Sequence, residues 1–573
     1  MPNQLDSVVL KFGSSVLQSE EDLPRAVHEI YRWWRDGVKV FAVVSAFGDT
    51  TNNLKGLADK VGGPLDSTIL ASLLATGEAA SSALLGLSLN KFGIPAHVLD
   101  ATQAGLRTSG DQLDGQLASV DVKALTEAAQ HGVVVLPGFV GRNDAGAIAL
   151  LGRGGSDYSA LFLANQLSAH CVLLKDVDGL YTSDPSCNSQ RAIRFARVSY
   201  DTAARLGGEL VQQKAIRFAS DHRLKFSITS IGASDYTEVG PFSDRLDVQK
   251  PDYEALKVTL LGCGTVGGGV YQLLNELPDL FTIVGVGTRT PQRAFQLGVP
   301  EQLITIDVDR LLDKHCDVVV ELIGGLTQAA SLTSRALSLG RDVVTANKSL
   351  IALNGDSLHD LADKTGARLR YSAAVGGVLP AIETIERVRD TGSIRAFSGV
   401  LNATTNFVLD QLGNGESIES AVKLAQTHGY AEADPQADLD GTDAAQKLAI
   451  LARAAFGVSL SFQNIRRKGI IGITTDDVCN TSKRGNSIRL VASAELVDGR
   501  IETSVCPLSL PFDHPLSGVS GTQNRLLVAV DGGEQTVVSG EGAGRWPTSV
   551  AVIADLLDCR TAQAQSQLTE CVA

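Results

Sequence analysis

The sequence predicts an α/β protein built in two consecutive halves, each with a mainly parallel sheet covered by helices on both faces. Three observations carry this. In the first half, short apolar runs at 7–12, 38–45, 132–140 and 170–174 alternate with helical stretches such as 23–35, and such alternation is the mark of parallel strands joined by crossover helices. A polar, turn-rich stretch at 232–253, with Gly240-Pro241 and Lys250-Pro251-Asp252, then reads as a boundary. Beyond it the pattern restarts with an apolar run at 256–261, a glycine-rich turn and a helical stretch at 268–277. At 573 residues and about 150 residues per domain, three or four compact units are expected.

Composition narrows the class. The chain is 44% hydrophobic and 20% charged, enough to bury sizeable cores and far from the disordered regime. With 64 acidic and 50 basic residues the net charge is −14, a poor match to a nucleic-acid backbone. Its eight cysteines (171, 187, 263, 316, 479, 506, 559 and 571) form no CxxC pair, and the histidines show no HExxH or HxH spacing. Reduced thiols in a cytoplasm are therefore expected, with neither a disulfide scaffold nor a zinc site. We find no apolar run that reads as a membrane span. The first residues lead directly into Val8-Val9-Leu10, so no leader is expected.

In the first half the opening strand ends in Lys11-Phe12-Gly13-Ser14-Ser15. A lysine beside a small-residue turn can set a cation and backbone N–H groups against phosphates, although most strand ends of this kind carry no function. Gly152-Arg153-Gly154-Gly155-Ser156-Asp157 allows close backbone approach, with a guanidinium fork and a carboxylate beside it. The blander account is a glycine turn with a surface ion pair. Lys175-Asp176-Val177-Asp178-Gly179-Leu180-Tyr181, followed by Asp184-Pro185, follows a buried strand and suits a nucleotide ribose or phosphate–metal site. Taken in order, with Ser45 in Val43-Val44-Ser45-Ala46-Phe47-Gly48, Thr76-Gly77-Glu78 and Pro137-Gly138-Phe139, these motifs resemble the catalytic domain of aspartate kinase. The resemblance implies transfer of the ATP γ-phosphoryl group to the β-carboxylate of aspartate. It implies that Lys11 neutralises the moving phosphoryl, Asp157 orients the reacting groups, Arg153 holds the substrate α-carboxylate and Glu78 its ammonium. Ser45 would add a substrate contact, and Gly13, Ser14, Asp176, Asp178, Tyr181 and Asp184 would hold MgATP. The chain departs from the family at Ser14, at Lys175 where a threonine is usual, and at Glu209 where a nucleotide-contacting lysine is usual.

In the second half, Gly262-Cys263-Gly264-Thr265-Val266-Gly267 stands between a strand and a helix, the context that a dinucleotide fingerprint requires. The next strand ends in Thr288-Arg289 instead of the acidic residue expected for NAD, so NADP(H) is favoured and NAD(H) is the alternative. Asn347-Lys348 follows a further apolar strand, at the sheet end where ligands bind. Asp443 and Lys447 are four residues apart on a helix whose continuation, Leu448-Ala449-Ile450-Leu451, reads as buried. An exposed pair at that spacing is worth only a few tenths of a kcal/mol, whereas a buried lysine beside a carboxylate is a candidate proton donor. With Glu432, Asp438, the 401–407 run Leu-Asn-Ala-Thr-Thr-Asn-Phe and the 540–548 run Gly-Glu-Gly-Ala-Gly-Arg-Trp-Pro-Thr, this order resembles homoserine dehydrogenase. The resemblance implies reversible reduction of aspartate 4-semialdehyde to homoserine, with Lys447 as proton donor, Lys348 assisting, and Asp443, Glu432 and Asp438 binding substrate. Gly542 would return to the cofactor. It further implies a sodium ion held by backbone groups of Val375, Gly377 and Leu379, although Ser372 replaces the family's acidic residue there.

The resulting expectation is an amino-acid-kinase-like α/β/α domain (1–240), a linker (241–255), a Rossmann dinucleotide-binding domain (256–375, with 540–573 returning to it) and an α+β substrate and dimerisation domain (376–539). The resemblance implies a cytoplasmic bifunctional enzyme of the aspartate pathway, a homodimer or homotetramer with small-molecule substrates only. Because 236–253 leaves no room for an ACT regulatory module, threonine or lysine inhibition through one is not expected. Two competing readings stand beside it. The first half could be a catalytically degenerate binding or dimerisation module, or the second half a different NADP oxidoreductase.

Overall fold

The computed structural model describes residues 5–183, 192–208, 210–233, 235–247, 254–431 and 434–572, with side chains to 563. Asp184, Glu209 and Glu432 lie outside these residues. The chain divides into two units, 1–253 and 254–573.

Among the described residues of the first unit, nine strands form one sheet. Its centre is Phe226–Ser230, His170–Lys175, Ser7–Phe12, Lys39–Val44 and Val133–Pro137, all parallel. Val8, Val9 and Leu10 are wholly buried, as are Val40, Ala42, Val43 and Val44. That explains why these strands are uninterrupted apolar runs: helices cover both faces, and no position is left for a polar alternate. The run at 132–140 does not make one strand. It breaks at Phe139, whose φ of 66° turns the chain into Val140–Arg142, part of a separate four-stranded sheet with Arg107–Gly110, Gly115–Ser119 and Ile148–Leu150. That small sheet was not legible in the sequence.

The helix Ser67–Lys91 is long and apolar enough to cross a membrane by length and composition, with 50% of its most apolar window buried. Leu74, Leu85 and Leu89 are among its buried residues, and it packs on the strands Val133–Pro137 and Ile148–Leu150. These contacts are those of a core helix.

The second unit has two sheets. Six parallel strands in the order Ile304–Thr305, Phe281–Gly287, Leu256–Leu261, Val318–Glu321, Asp342–Thr345 and Leu369–Arg370 form the first. The order reverses direction at Leu256–Leu261, which opens a crevice at the strand C-termini. The second sheet is largely antiparallel, built from Ile394–Val400, Asn486–Val497, Arg500–Pro511, Gln523–Val530 and Gln535–Glu541, with the short Arg466–Arg467 at one edge. The C-terminal helix Arg545–Val572 comes back to the parallel sheet. Arg545 donates to the Gln272 side chain at 2.6 Å, and the Ser549 hydroxyl donates to the Val266 carbonyl.

Candidate active sites

In the first unit, the C-terminal ends of the central strands open into a cleft of about 1070 Å³. The parallel register opposes Lys11 to Leu173. Lys175, two residues further along, therefore shares a sheet face with Lys11. Asp157 stands over that face in the first turn of the helix Gly155–Leu167. Its carboxylate meets Lys11 Nζ at 2.7 Å and Lys175 Nζ at 3.0 Å, with all three side chains nearly inaccessible to water. The helix enters through Gly154 at φ 77°, where a side chain would strike Gln212, so the turn can approach a ligand only as glycine.

The charges follow from this packing. Burial pushes the Asp157 carboxyl up, but the two ammonium groups outweigh it and hold the group at about 2. Burial lowers Lys11, with Asp157 opposing. Glu78 is 3% exposed, and burial raises it to about 7 against hydrogen bonds from backbone N–H groups. Among the described residues its Oε2 has no hydrogen-bond partner, and a buried carboxylate oxygen so placed suits a cation.

Ser45, Gly13, Ser14, Arg153, Asp176 and Tyr181 also line the cleft. Asp178 does not. It accepts from the Tyr181 hydroxyl at 2.5 Å and pairs with Arg194, which also holds Asp235 and Asp247. Its geometry is that of a loop anchor. Lys214, which could have added a phosphate-facing charge, is held by Asp114, the Gly115 carbonyl and the Leu151 carbonyl at 2.6–2.8 Å.

The second unit places a similar cluster between its two sheets. Lys348 is the first residue of the helix Lys348–Thr365, just beyond the strand Asp342–Thr345. Asn347 caps that helix through Leu350 N–H and donates to the Gly325 carbonyl at 2.7 Å. Asp443 and Lys447 lie on the helix Thr442–Phe456. Asp443 meets Lys348 Nζ at 2.9 Å and Lys447 Nζ at 3.0 Å, and Lys447 donates to the Leu401 carbonyl at 2.7 Å. Burial disfavours the Asp443 charge, yet Lys447 and Lys348 hold its carboxyl well below the usual range. Asp438 is raised by burial and by its neighbour Asp443. Asn402 separates these two acids, its amide donating to Asp438 at 2.6 Å and to Asp443 at 2.8 Å while its oxygen caps Thr405.

The glycine turn follows Leu261, which pairs with Glu321 as Glu321 pairs with Thr345, so the turn and Lys348 leave the same end of the sheet. A side chain on Gly262 would meet the Leu322 carbonyl at 2.5 Å, and one on Gly267 the Gly262 carbonyl at 2.1 Å. A side chain added at Gly264 would meet no atom of the described residues beyond its chain neighbours within 4 Å, which leaves the entrance of the helix Thr265–Asn275 open to a pyrophosphate. Arg289 is exposed just past the strand Phe281–Gly287, and Arg293 donates to the Thr265 hydroxyl at 3.2 Å. Glu321 is fully buried and accepts from Ile323 N–H, Gly324 N–H and the Thr345 hydroxyl, shaping the loop that Asn347 joins. The Gly540–Gly544 segment reaches the same region. Gly542 N–H donates to the Thr522 carbonyl, and Gly377, at φ 57°, packs against the Glu541 carbonyl.

Motif reading assigned no site role to three residues that the geometry brings into these sites. Lys175 had a signal, a lysine closing a buried strand. Asn402 and Arg293 had none that stands out from ordinary capping and surface residues.

A dinucleotide turn beside a lysine–aspartate cluster defines a nicotinamide-dependent oxidoreductase, joined in this chain to a unit of phosphotransferase type. Comparison with known proteins makes this particular. The homoserine dehydrogenase family model matches residues 380–557, its NAD-binding domain 262–372, and the amino acid kinase family model 6–230. Homoserine dehydrogenase of Bacillus subtilis (strain 168) is 36% identical over 314 residues, covering 53% of this chain and 72% of that protein. The Synechocystis enzyme is 35% identical over 315 residues, covering 53% and 73%. A homoserine dehydrogenase structure from Thiobacillus denitrificans superposes with a TM-score of 0.53 at 34% identity, covering 55% of this chain and 76% of that one. The chain belongs to the homoserine dehydrogenase family and carries an amino acid kinase domain in its first half.

Proposed function

We propose that the second unit interconverts aspartate 4-semialdehyde and homoserine with NADP(H), and that the first phosphorylates the β-carboxylate of aspartate with MgATP. The observation that carries the dehydrogenase reading is the cluster of buried Lys447 and Asp443 with the half-exposed Lys348, at the sheet end that also carries the dinucleotide turn. Gly262, Gly264, Thr265, Val266 and Gly267 would receive the pyrophosphate at the helix N-terminus, Arg289 the 2′-phosphate, and Asn347 and Gly542 the nicotinamide end. When bound, the reduced nicotinamide supplies the hydride.

The protein's own part is proton transfer and charge placement. Lys447 gives its proton to the aldehyde oxygen as negative charge develops there, and the Leu401 carbonyl and Asp443 fix the direction of its N–H groups. Lys348, 42% exposed, swings to the same oxygen. Asp438 and Asp443, held apart by Asn402, receive the substrate ammonium, with Glu432 as a further acid. A sodium ion would be held by backbone carbonyls of Val375, Gly377 and Leu379, without a carboxylate from Ser372.

In the first unit Lys11 faces the transferring phosphoryl and Asp157 holds Lys11 in place. Arg153 binds the α-carboxylate, Ser45 a further substrate oxygen, and the buried Glu78 the ammonium. Gly13, Ser14, Asp176, Tyr181 and Asp184 would complete the nucleotide side. We place the enzyme in the cytoplasm, in keeping with the free thiols of its six described cysteines, and as a homodimer or homotetramer. The test is homoserine-dependent reduction of NADP⁺ together with ATP- and aspartate-dependent hydroxamate formation by the whole chain. Unimpaired homoserine oxidation in Lys447→Ala would sink the dehydrogenase mechanism. Absence of hydroxamate in both wild type and Lys11→Ala would favour a degenerate first unit.

A further inference from the structure

We infer that Lys175 is a second catalytic cation of the first unit, touching the phosphoryl group in flight beside Lys11. This rests on the kinase reading above. Three observations lead to it. Lys11 and Lys175 come from neighbouring parallel strands and share one face by register, so their ammonium groups converge on a single carboxylate. Both line the cleft and both are buried, Lys11 at 5% and Lys175 at 7% exposure. Two ammonium groups on one ionised carboxylate leave an excess positive charge at the cleft floor. In a site shielded from water that excess attracts an anion far more strongly than an exposed lysine does. The other lysine of this region, Lys214, spends its ammonium on Asp114 and two backbone carbonyls and is not placed to help.

In the transfer itself, the bond from the γ-phosphorus to the β,γ-bridging oxygen breaks with its electron pair going to the leaving nucleotide. A bond forms from the substrate carboxylate oxygen to phosphorus, and no net proton or electron is exchanged. Negative charge shifts onto the leaving and peripheral oxygens as this happens. A cation already in position stabilises that charge without reorganising. Lys175 thereby supplies, from the end of its strand, a charge opposite Lys11 across Asp157.

The experiment measures ATP- and aspartate-dependent hydroxamate formation by wild type, Lys175→Met and Lys175→Arg, with kcat and KM separated and the thermal midpoint of each recorded. The expected result is a fall in kcat of about 100-fold in Lys175→Met, with KM for ATP changed less than about 5-fold, and partial recovery in Lys175→Arg. Turnover in Lys175→Met within about threefold of an active wild type overturns the inference and leaves the kinase reading standing. An equal loss in both variants with a lowered thermal midpoint also overturns it, because a structural role predicts that pattern. A wild type without turnover removes the kinase reading and this inference together.

Discussion

Both units place one aspartate between two lysines, but they bury the trio differently. In the first unit Lys11, Asp157 and Lys175 come from three elements, and none of their side chains is more than 7% exposed. In the second, Asp443 and Lys447 sit one turn apart on a single helix, while Lys348 reaches in from another and is 42% exposed. The difference matches the two chemistries. A site that must hold a polyanion gains from two fixed cations in a shielded cleft. A site that moves one proton needs one aligned ammonium, and here the Leu401 carbonyl and Asp443 supply the alignment. Asn402 adds a further contrast: the second trio has another acid, Asp438, close enough to need separating from its aspartate.

The largest effect should fall on the lysines of the second unit, and unequally. Lys447→Met is expected to lower kcat for homoserine oxidation about 10³-fold, the scale of a lost general acid, and Lys348→Met only about 10-fold. Equal losses would mean that the exposed lysine is as fixed as the buried one, and the contrast would fail. Next come the aspartates. Asp157→Asn leaves two buried ammonium groups without a counterion and should cost about 3 kcal/mol of unfolding free energy by denaturant titration. Asp443→Asn should cost less, because Lys348 can turn to solvent. The sign of the acid dependence follows. Asp157 sits at about 2 against an ordinary 3.8, so its contribution is complete above 3.8 and is lost as the pH falls towards 2.

Glu78 gives a smaller effect of opposite origin. Its carboxyl, raised by burial to about 7, becomes neutral as the pH falls through that value and then cannot pair with an ammonium. KM for aspartate should rise roughly tenfold per pH unit below 7, and Glu78→Gln should be flat over the same range. A flat wild-type profile would remove Glu78 from the ammonium site.

How much of this the sequence disclosed depends on the range of the interaction. The parallel strands were legible because burial on both faces leaves apolar runs, and the dinucleotide turn because its glycines are forced by backbone contacts at fixed spacing. Asp443 and Lys447 were legible as a pair because one helical turn joins them. Contacts set by tertiary register were not. Lys175 meets Asp157 only through strand pairing and a helix crossing, and Asn402 reaches two acids 36 and 41 residues away. The break at Phe139 hides for a related reason: a positive φ in a bulky residue has no sequence mark of its own.

The smallest effect concerns the cofactor. Arg289 stands in solvent at the end of its strand, unlike the shielded Lys11, Lys175 and Lys447. A guanidinium–phosphate contact there is weakened by water and salt, so losing it should cost about 1.4 kcal/mol, or tenfold. Arg289→Ala should therefore lower kcat/KM for NADP⁺ about tenfold and leave NAD⁺ nearly unchanged, with the gap narrowing as salt is raised. Equal losses with both cofactors would place Arg289 on the pyrophosphate or in the fold, and the 2′-phosphate would then need another partner. Arg293, already tied to Thr265 at the helix entrance, is the next candidate. Its replacement should weaken NADP⁺ and NAD⁺ alike if it serves the pyrophosphate, which separates the two arginines in a single pair of titrations.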